Sequence, residues 1–254
     1  MIPTSPPPIW APHMSDGSVP ILEVRDLEVR YGPVAVVRGL DLTLDHGQVL
    51  GLIGANGAGK TSTLAAIAGT VRPRSGDIRL RGESIVDLPI ESRVGLGLAL
   101  VPEGRHIFPS FTVEENLRLG LLGRRDDSGA NAALELVYTL FPVVRDFRRR
   151  VAGELSGGQQ QQLALARALV SGPDVLLLDE PSLGLAPTIV ANLMEALAAI
   201  RDTGVSILLV EQRAQFTVAF ADRTHVLRGG RMVLTLTPEE ADDVDRMTSA
   251  YFGT

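Results

Sequence analysis

Three stretches of this sequence carry residue types and spacings suited to chemistry on phosphates, and the first is Gly54 to Thr61. It reads Gly-Ala-Asn-Gly-Ala-Gly-Lys-Thr and matches the pattern G-x-x-x-x-G-K-[ST]. The glycines allow successive backbone N–H groups to point inward at an anion. The Lys60 side chain can then reach the β- and γ-phosphates of a nucleotide, and the Thr61 hydroxyl can hold Mg²⁺. The pattern therefore predicts a phosphate-binding loop.

The second stretch is the carboxylate pair Asp179 and Glu180, which directly follows the apolar run Val175 to Leu178. Four consecutive apolar residues suit a strand buried on both faces of a parallel sheet, and α/β sheets place their ligands at the carboxyl ends of such strands. Asp179 is suited to Mg²⁺. Glu180 is suited to polarising the water that attacks a γ-phosphate, a contribution of about 10²–10⁴-fold. Isolated acids are more often helix caps or surface charges, but downstream of a phosphate-binding loop we favour the functional interpretation.

A third signal, Leu155 to Gln159, reads Leu-Ser-Gly-Gly-Gln and precedes apolar residues at helical spacing. Ser156 and Gln159 have the spacing of a capping box, so a helix is predicted to begin at the serine. Two glycines, Gly157 and Gly158, beside a capped helix start again suit a phosphate. One chain with one lysine loop rarely needs two such helix ends for a single nucleotide, which indicates that this end binds the nucleotide of a partner.

The elements that position these residues follow from periodicity. Val49 to Ile53 is an apolar strand, and a helix begins at Lys60, whose positive N-terminal end contributes roughly 0.3–2 kcal/mol to anion binding. Alternating apolar residues from Ile21 to Tyr31 and from Leu40 to Leu44 predict antiparallel strands ahead of the loop. Tyr31 is either a half-buried strand aromatic or a platform for adenine, where stacking contributes about 1–3 kcal/mol. Spacing alone does not decide between these two roles.

No strand is evident in the middle of the chain, where the stretches 113–122 and 130–141 have helical periodicity. Thr112 and Glu115 have the spacing of a capping box at the start of the first of these stretches. Residues from about 104 to 170 are therefore predicted to form a helical subdomain inserted into the sheet domain. Within it, Arg148 to Arg150 is most often a solvated charge run, and the alternative is a surface for a protein partner.

The C-terminal third supplies the remaining elements of an α/β core with an antiparallel edge. They are a helix over about 188–202, a strand over 206–210, a helix over 213–221, and a hairpin of Arg223 to Leu227 with Met232 to Leu236 around Gly229-Gly230. Pro187 suits the first position of its helix because its missing N–H would have no intrahelical partner there.

Composition excludes several classes of function. A net charge of −6 without a strongly basic segment argues against broad nucleic-acid binding. The absence of cysteine excludes disulfides, thiolate metal sites and cysteine nucleophiles, and the 4 histidines have no metal-ligand spacing. No apolar run approaches the roughly 18–20 residues of a membrane span. Residues 1–19 are proline-rich and lack the features of a secretory signal, so we expect them to be disordered and the chain to stay in the cytoplasm.

Tyr31, Gly54 to Thr61, Leu155 to Gln159 and Val175 to Glu180 stand in the order and spacing of ATP-binding-cassette (ABC) ATPases, which the chain resembles over about residues 20–254. The resemblance implies an α/β fold: a P-loop NTPase core of ABC ATPase type with an antiparallel β subdomain and an inserted α-helical subdomain. It also implies ATP and Mg²⁺ as ligands and a head-to-tail pair of subunits with two ATPs between them. The pair would drive a membrane permease from the inner face of the cell membrane.

The resemblance also implies roles for individual positions. The implied catalytic residues are Glu180, Lys60, Gln212 and Glu103. The implied nucleotide contacts are Tyr31, Gly54, Asn56, Gly57, Ala58, Gly59, Lys60, Thr61, Ser62, Ser156, Gly157, Gly158 and Gln159. Of these, Ser156 to Gly158 would close over the γ-phosphate of the partner's nucleotide. The implied Mg²⁺ ligands are Thr61, Asp179 and Glu103.

Three positions depart from the usual family pattern. Glu103 stands where a glutamine usually contacts the metal and the attacking water, Ala186 replaces a loop aspartate, and Gln212 replaces the switch histidine. A carboxylate at position 103 adds negative charge near phosphates and is tolerable only if Mg²⁺ or Arg105 offsets it. Gln212 can still donate a hydrogen bond to a γ-phosphate but cannot carry a proton. We therefore expect turnover that is modest or unequal between the two sites.

These departures themselves resemble one branch of the family, the second ATPase of branched-chain amino acid uptake systems, as does the ending Ser249 to Gly253. The same branch includes urea and short-amide importers. Its precedent implies a second, different ATPase as partner, with a homodimer as the competing arrangement. Two permease subunits and, indirectly, an extracytoplasmic binding protein complete the implied assembly.

Two other classes of ABC protein compete with an importer subunit. Cassette proteins of DNA repair or translation usually carry long coiled coils or two tandem cassettes, whereas this chain has one cassette and a net negative charge. A regulatory cassette that binds ATP without turnover is suggested by Glu103 and Gln212. Steady-state hydrolysis by the protein with its partner separates a regulatory cassette from an ATPase.

Overall fold

The computed structural model of the protein describes residues 19–125 and 129–243. The disorder predicted for residues 1–19 and the ending Ser249 to Gly253 therefore lie outside the described residues, apart from Val19. None of the described helices combines the length and apolar character needed to cross a membrane.

The described part of the chain forms ten strands and eight α-helices. The strands are β1 (Leu22–Tyr31), β2 (Val34–Leu44), β3 (Val49–Gly54), β4 (Ser75–Leu80), β5 (Glu83–Ser84), β6 (Leu98–Val101), β7 (Val175–Asp179), β8 (Ser206–Glu211), β9 (Arg223–Arg228) and β10 (Arg231–Leu236). The helices are α1 (Lys60–Ala68), α2 (Ile90–Gly95), α3 (Val113–Leu121), α4 (Ala130–Leu140), α5 (Pro142–Asp146), α6 (Gly157–Leu169), α7 (Pro187–Asp202) and α8 (Ala214–Phe220).

A six-stranded sheet lies at the centre of the fold, in the order β10-β9-β3-β8-β7-β6. Its strands run parallel except β10, which pairs antiparallel with β9. Every residue of β3, β7 and β8 is buried, which agrees with the continuous apolar runs of strands covered on both faces. The predicted central strands and the C-terminal hairpin are confirmed. The parallel order brings the carboxyl ends of β3, β7 and β8 to one edge of the sheet.

An antiparallel sheet in the order β2-β1-β4-β5 shares an apolar core with α1 and one face of the central sheet. Leu22, Leu27 and Val29 of β1 are fully buried in that core, as the alternation predicts. Tyr31, the last residue of β1, is 51% exposed, and this exposure is compatible with both of the roles that the sequence left open. The register of β1 with β2 shifts between Val29 and Arg30, and this irregularity interrupts the alternation before it reaches Tyr31.

Helices α3 to α6 occupy the chain between β6 and β7. The buried residues of this segment join a core that continues onto the other face of the central sheet, and they include Val113, Leu117, Val137, Phe141, Val144 and Leu163. Both predicted capping boxes form: the N–H of Glu115 donates to Thr112 Oγ1 at 3.2 Å, and the N–H of Gln159 donates to Ser156 Oγ at 3.4 Å. That residues 104–170 constitute a separate inserted subdomain stays a prediction.

Candidate active site

The phosphate-loop sequence connects the carboxyl end of β3 to the start of α1 and lines a cavity of about 300 Å³. The residues around this cavity are Val36, Asn56, Gly57, Gly59, Lys60, Thr61, Ser62, Glu103, Glu180 and Gln212. Larger cavities occur elsewhere on the surface, but this one lies at the edge where the parallel strands end. The structure therefore brings the lysine loop, one acidic residue after β7 and the residue after β8 to one place.

Glycine is required at position 59 by both conformation and space. Gly59 has a φ of 106°, and a Cβ atom built on it would lie 2.6 Å from the backbone oxygen of Val36. Gly59 is also the N-cap of α1, and no side-chain hydrogen bond caps this helix among the described residues. The N–H groups of the first turn are therefore left without a side-chain acceptor at the end of the helix that favours anions.

Lys60 is 4% exposed and lies at the centre of the loop. Its Nζ donates to the backbone oxygens of Gly54 at 2.9 Å and Ala55 at 3.3 Å, and it lies 3.4 Å from Oε1 of Glu180. The cation is thus held by the loop that surrounds the cavity and faces the carboxylate contributed by the turn after β7. This arrangement places one positive charge within the cavity lining.

Thr61 lines the cavity, and its hydroxyl forms a pair of oxygen donors with Asp179, which is outside the lining. The Thr61 hydroxyl donates to Oδ1 of Asp179 at 3.2 Å, and Asp179 is 4% exposed. Burial raises the pKa of Asp179 to about 6, although the bond from Thr61 acts in the opposite direction. At neutral pH a hard, negatively charged oxygen therefore stands beside a hydroxyl, which is the donor chemistry that Mg²⁺ prefers. These two residues fit the ion.

Glu180 and Gln212 are in direct contact at the carboxyl ends of β7 and β8. The side-chain Nε2 of Gln212 donates to Oε2 of Glu180 at 2.7 Å and to Oδ1 of Asn56 at 2.8 Å. The Glu180 backbone has a φ of 48°, a left-handed conformation that costs a residue other than glycine about 1–3 kcal/mol. Its N–H donates to the backbone oxygen of Val210 at 2.9 Å, so β8 helps to stabilise the strained turn.

Glu103 lines the cavity and contributes to the raised pKa of Asp179 through like-charge repulsion. Arg105 does not offset this charge by an ion pair among the described residues. Instead, its Nη1 donates to Oε1 of Gln160 at 3.1 Å, and its guanidinium lies beside Gly157. From the sequence, Mg²⁺ and Arg105 are the two groups that could offset the charge of Glu103. Because Arg105 bonds to Gln160 instead, a divalent cation is the remaining one.

Several predicted contact residues are not brought into the cavity. Tyr31, Gly54, Ala58, and the group Ser156, Gly157, Gly158 and Gln159 are outside its lining. Gly54 nevertheless contacts Lys60 through its backbone oxygen, and Ala58 is a buried residue on the far side of the loop, where its backbone oxygen accepts from Gly230. Within one chain, then, the capped start of α6 and the lysine loop do not form a common site.

Sequence reasoning missed two residues here. Val36 of β2 lines the cavity, and no pattern in the sequence signals that role. Glu211 is 2% exposed and accepts hydrogen bonds from the N–H groups of Ser182 at 2.9 Å and Gln212 at 3.3 Å. A signal for Glu211 was present, because it ends a buried apolar strand as Asp179 does.

Comparison with known proteins gives a consistent result. A family model described as ABC transporter matches residues 37–183. The branched-chain amino acid transport ATP-binding protein BraG of Pseudomonas aeruginosa is 41% identical over 224 residues, which cover 88% of this chain and 95% of that protein. LptB of Haemophilus influenzae, an ATP-binding protein of a lipopolysaccharide export system, is 31% identical over 92% of this chain and 97% of its own length. A probable branched-chain amino acid transport ATP-binding protein, LivF of Archaeoglobus fulgidus, is 33% identical over 92% of this chain and 99% of its own.

Solved structures agree with the fold class predicted from the sequence. A nucleotide-free ATP-binding cassette from an ABC transporter is similar with a TM-score of 0.81 at 21% identity, covering 92% of this chain and 100% of that chain. At that identity the likeness shows the fold alone. An ATP-binding subunit of an ABC transporter has a TM-score of 0.76 at 28% identity and covers 91% of this chain and 95% of that chain. The α/β fold of ABC ATPase type is confirmed.

Proposed function

Because this chain belongs to the ABC transporter family and is an ATPase of that family, we propose that it powers the import of branched-chain amino acids. The observation that carries the proposal is the 41% identity to BraG over nearly the whole of both chains. LptB shares the ATPase chemistry at lower identity and acts in export, so the cargo and its direction rest on the branch and not on the site.

In this proposal the loop and Lys60 bind the phosphates of ATP. Lys60 lines the cavity together with Thr61 and Ser62, the next residues of α1, and no side chain caps the first turn of this helix among the described residues. The Lys60 ammonium and this helix start both favour negative charge, and neither has to be reorganised over a long distance when the nucleotide enters. Asn56 and Ser62 line the cavity beside them.

Thr61 and Asp179 are the proposed Mg²⁺ ligands, with Glu103 as a third group at the cavity wall. When bound, the ion neutralises charge on the β- and γ-phosphate oxygens. The described residues contain no cluster of three or more His, Cys, Asp or Glu side chains able to hold a metal alone. A site of this kind relies on phosphate and water to complete the coordination shell of Mg²⁺.

Glu180 is the proposed general base, and Gln212 is the group that orients it. The 2.7 Å hydrogen bond from Gln212 selects one direction for the Glu180 carboxylate, and Lys60 contacts the other oxygen. A carboxylate held in this way can accept a proton from the attacking water in line with the γ-phosphate. Gln212 donates its hydrogen bonds without exchanging a proton, so the chemistry at this position is orientation alone.

The remaining contacts involve the adenine and a second subunit. Exposure at the end of β1 leaves the Tyr31 ring available to stack on adenine. Ser156 to Gly158 and Gln159 lie outside the cavity of their own chain, which supports a role toward a nucleotide held by a partner ATPase. We propose a different ATPase as that partner, with a homodimer as the alternative, and a permease with an extracytoplasmic binding protein beyond it. The subunit would act at the inner face of the membrane.

Uptake measurements test the cargo. In cells whose chromosomal copy carries Glu180→Gln, we expect uptake of labelled leucine to fall to background while uptake of urea is unchanged. Loss of urea uptake alone would keep the ATPase mechanism and assign the second candidate cargo, a urea or short-amide substrate. If neither uptake changed although the wild-type protein hydrolyses ATP, the importer proposal would be wrong, and capture of the membrane partner would decide the class.

A groove of about 500 Å³ between β6, α3 and α6 is the proposed docking site for the permease. Its lining is largely apolar, and the exposed ring of Phe108 at its margin stacks on Phe111 with the ring centroids 5.6 Å apart. Arg167 lies over Phe108 at 5.4 Å, and its buried Nη1 has no hydrogen-bond partner among the described residues. An apolar permease segment would cover the groove, and a carboxylate on that segment would pair with the guanidinium once a small shift of the Arg167 side chain exposes Nη1.

Arg167→Gln tests this contact. Loss of one buried charge-assisted hydrogen bond corresponds to about 1.5–3 kcal/mol, so we expect permease capture to weaken by about 10–100-fold while the hydrolysis rate of the free subunit is unchanged. The matched control is Arg118→Gln, which removes an exposed guanidinium of α3 that pairs with Glu114. Equal capture by the Arg167 variant and the wild type would place the permease contact elsewhere.

A further inference from the structure

The turn after β7 is strained and depends on contacts from outside itself. Glu180 adopts its left-handed conformation within the segment Asp179 to Leu183, where the N–H of Leu183 donates back to the oxygen of Glu180 at 3.0 Å. A conformation of this cost persists only when surrounding groups determine it. Contacts from a neighbouring element must therefore hold this turn.

Three consecutive residues at the end of β8 contact this turn. The oxygen of Val210 accepts from the N–H of Glu180 at 2.9 Å, and the side chain of Gln212 donates to the Glu180 carboxylate at 2.7 Å. Between them, Oε1 of Glu211 accepts from the N–H of Ser182 at 2.9 Å. The turn is therefore held on both sides of Pro181 by one strand end.

Glu211 uses its two oxygens for two different segments. Oε1 accepts from Ser182 of the turn, and Oε2 accepts from the N–H of its own neighbour Gln212 at 3.3 Å. Both partners are N–H donors, and an ionised carboxylate accepts at both of its oxygens. An amide at this position would instead set its NH₂ group against one of the two N–H donors. Burial raises the pKa of Glu211, and these hydrogen bonds oppose that change.

The burial of this charge is not explained by an ion pair. Glu211 is 2% exposed, and no Lys, Arg or His of the described residues forms a salt bridge with it. Lys60 pairs with Glu180 instead. A buried carboxylate without a cation reduces stability unless its hydrogen bonds compensate, so its presence at this point needs a reason other than packing.

We propose that Glu211 is a positioning residue for hydrolysis, which fixes the backbone of Gln212 relative to the turn that carries Glu180. It is not among the residues that line the cavity, and it acts by keeping the Gln212 amide and the Glu180 carboxylate in their 2.7 Å contact. A displacement of Gln212 by a phosphate would also reach Ser182, where the loop toward α7 begins. This inference rests on the assignment of Glu180 as base and is independent of the cargo.

Glu211→Gln in the full-length protein tests the proposal. We expect the single-turnover rate of γ-phosphate release to fall by about 10–100-fold, because misplacement of a catalytic group by about 1 Å has effects of that size. ATP affinity, measured by calorimetry, should change by less than about twofold, since the hydrogen bonds of Glu211 go to Ser182 and Gln212 and not to the phosphate loop. Glu211→Asp keeps the charge and is expected to recover part of the rate.

A double-mutant cycle with Gln212→Ala separates positioning from simple structural support. If Glu211 acts through Gln212, the loss caused by Gln212→Ala should be several-fold smaller in the Glu211→Gln background than in the wild type. The matched control is Asp222→Asn. Asp222 also accepts a hydrogen bond from a backbone N–H, that of Val49 at 2.8 Å, but Val49 begins β3 and the cavity lies at the other end of that strand. The control should lower the thermal midpoint and leave the rate per folded molecule unchanged.

Independent, multiplicative effects of the two substitutions would overturn the inference, as would a Glu211→Gln variant that hydrolyses ATP at the wild-type rate. Should Glu211→Gln fail to fold, the same cycle is run with Glu211→Asp. If Glu180→Gln hydrolyses ATP at the wild-type rate, Glu180 is not the general base, and the inference about Glu211 fails as well. If Glu180→Gln hydrolyses ATP slowly and Glu211→Gln hydrolyses it at the wild-type rate, the role of Glu211 is overturned and the assignment of Glu180 as base is kept.

Discussion

Replacing Lys60 by alanine is expected to weaken ATP binding by at least about 100-fold, which corresponds to about 3 kcal/mol of charge-assisted contact with phosphate. The reason is local: among the described residues that line the cavity, Lys60 is the one cation, and it is buried at 4% exposure between two backbone oxygens and Glu180. Removing it leaves the Glu180 carboxylate to repel the phosphates without compensation. Calorimetry with ATP and Mg²⁺ measures the effect.

The control for this prediction uses an unusual property of the chain, because Lys60 is its single lysine. An amine-reactive reagent can label only this side chain and the N-terminus, so saturating ATP should protect the side chain of the wild-type protein. Lys60→Arg keeps the positive charge, but a planar guanidinium replaces the compact ammonium group. This variant is therefore expected to recover little of the affinity for ATP. Unchanged ATP affinity in Lys60→Ala, or labelling that ATP does not affect, would contradict the phosphate-loop assignment.

Glu180→Gln is expected to slow hydrolysis by about 10²–10⁴-fold while ATP remains bound, since an amide of nearly the same shape cannot accept the proton of the attacking water. The Gln212 hydrogen bond can persist, because the new side chain still presents one oxygen to Nε2. Removal of the negative charge of Glu180 beside Lys60 is expected to strengthen binding of the phosphates. Affinity and rate are therefore expected to move in opposite directions.

Single-turnover release of γ-phosphate measures this rate, with Glu114→Gln as the control for removal of an acid. Glu114 pairs with Arg118 on the surface of α3, and its replacement should leave both affinity and rate unchanged. A wild-type rate in Glu180→Gln would mean that another group activates the water. Glu103 would be the next residue to replace, since it is the other carboxylate in the cavity lining.

The sequence alone determined the features whose geometry depends on neighbours a few residues away. The glycine pattern located the loop between β3 and α1, because the backbone conformations it needs are encoded at each glycine. The capping boxes at Thr112 and Ser156 are present as their sequence spacing predicts, because the donor and the acceptor lie within one helical turn. Continuous apolar runs identified the buried strands for the same reason.

Only the tertiary structure decided which of these segments meet. Periodicity describes one strand at a time, so it does not state that β3 lies between β8 and β9, nor that β7 lies on the other side of β8. That order brings Gln212 to Asn56 across 156 positions and to Glu180 across 32. It also turns Glu211 from the last residue of an apolar strand into a buried carboxylate that contacts Ser182. Arg105 bonds to Gln160 and Tyr31 is exposed for the same physical reason: each depends on the packing of distant elements, which no local pattern records.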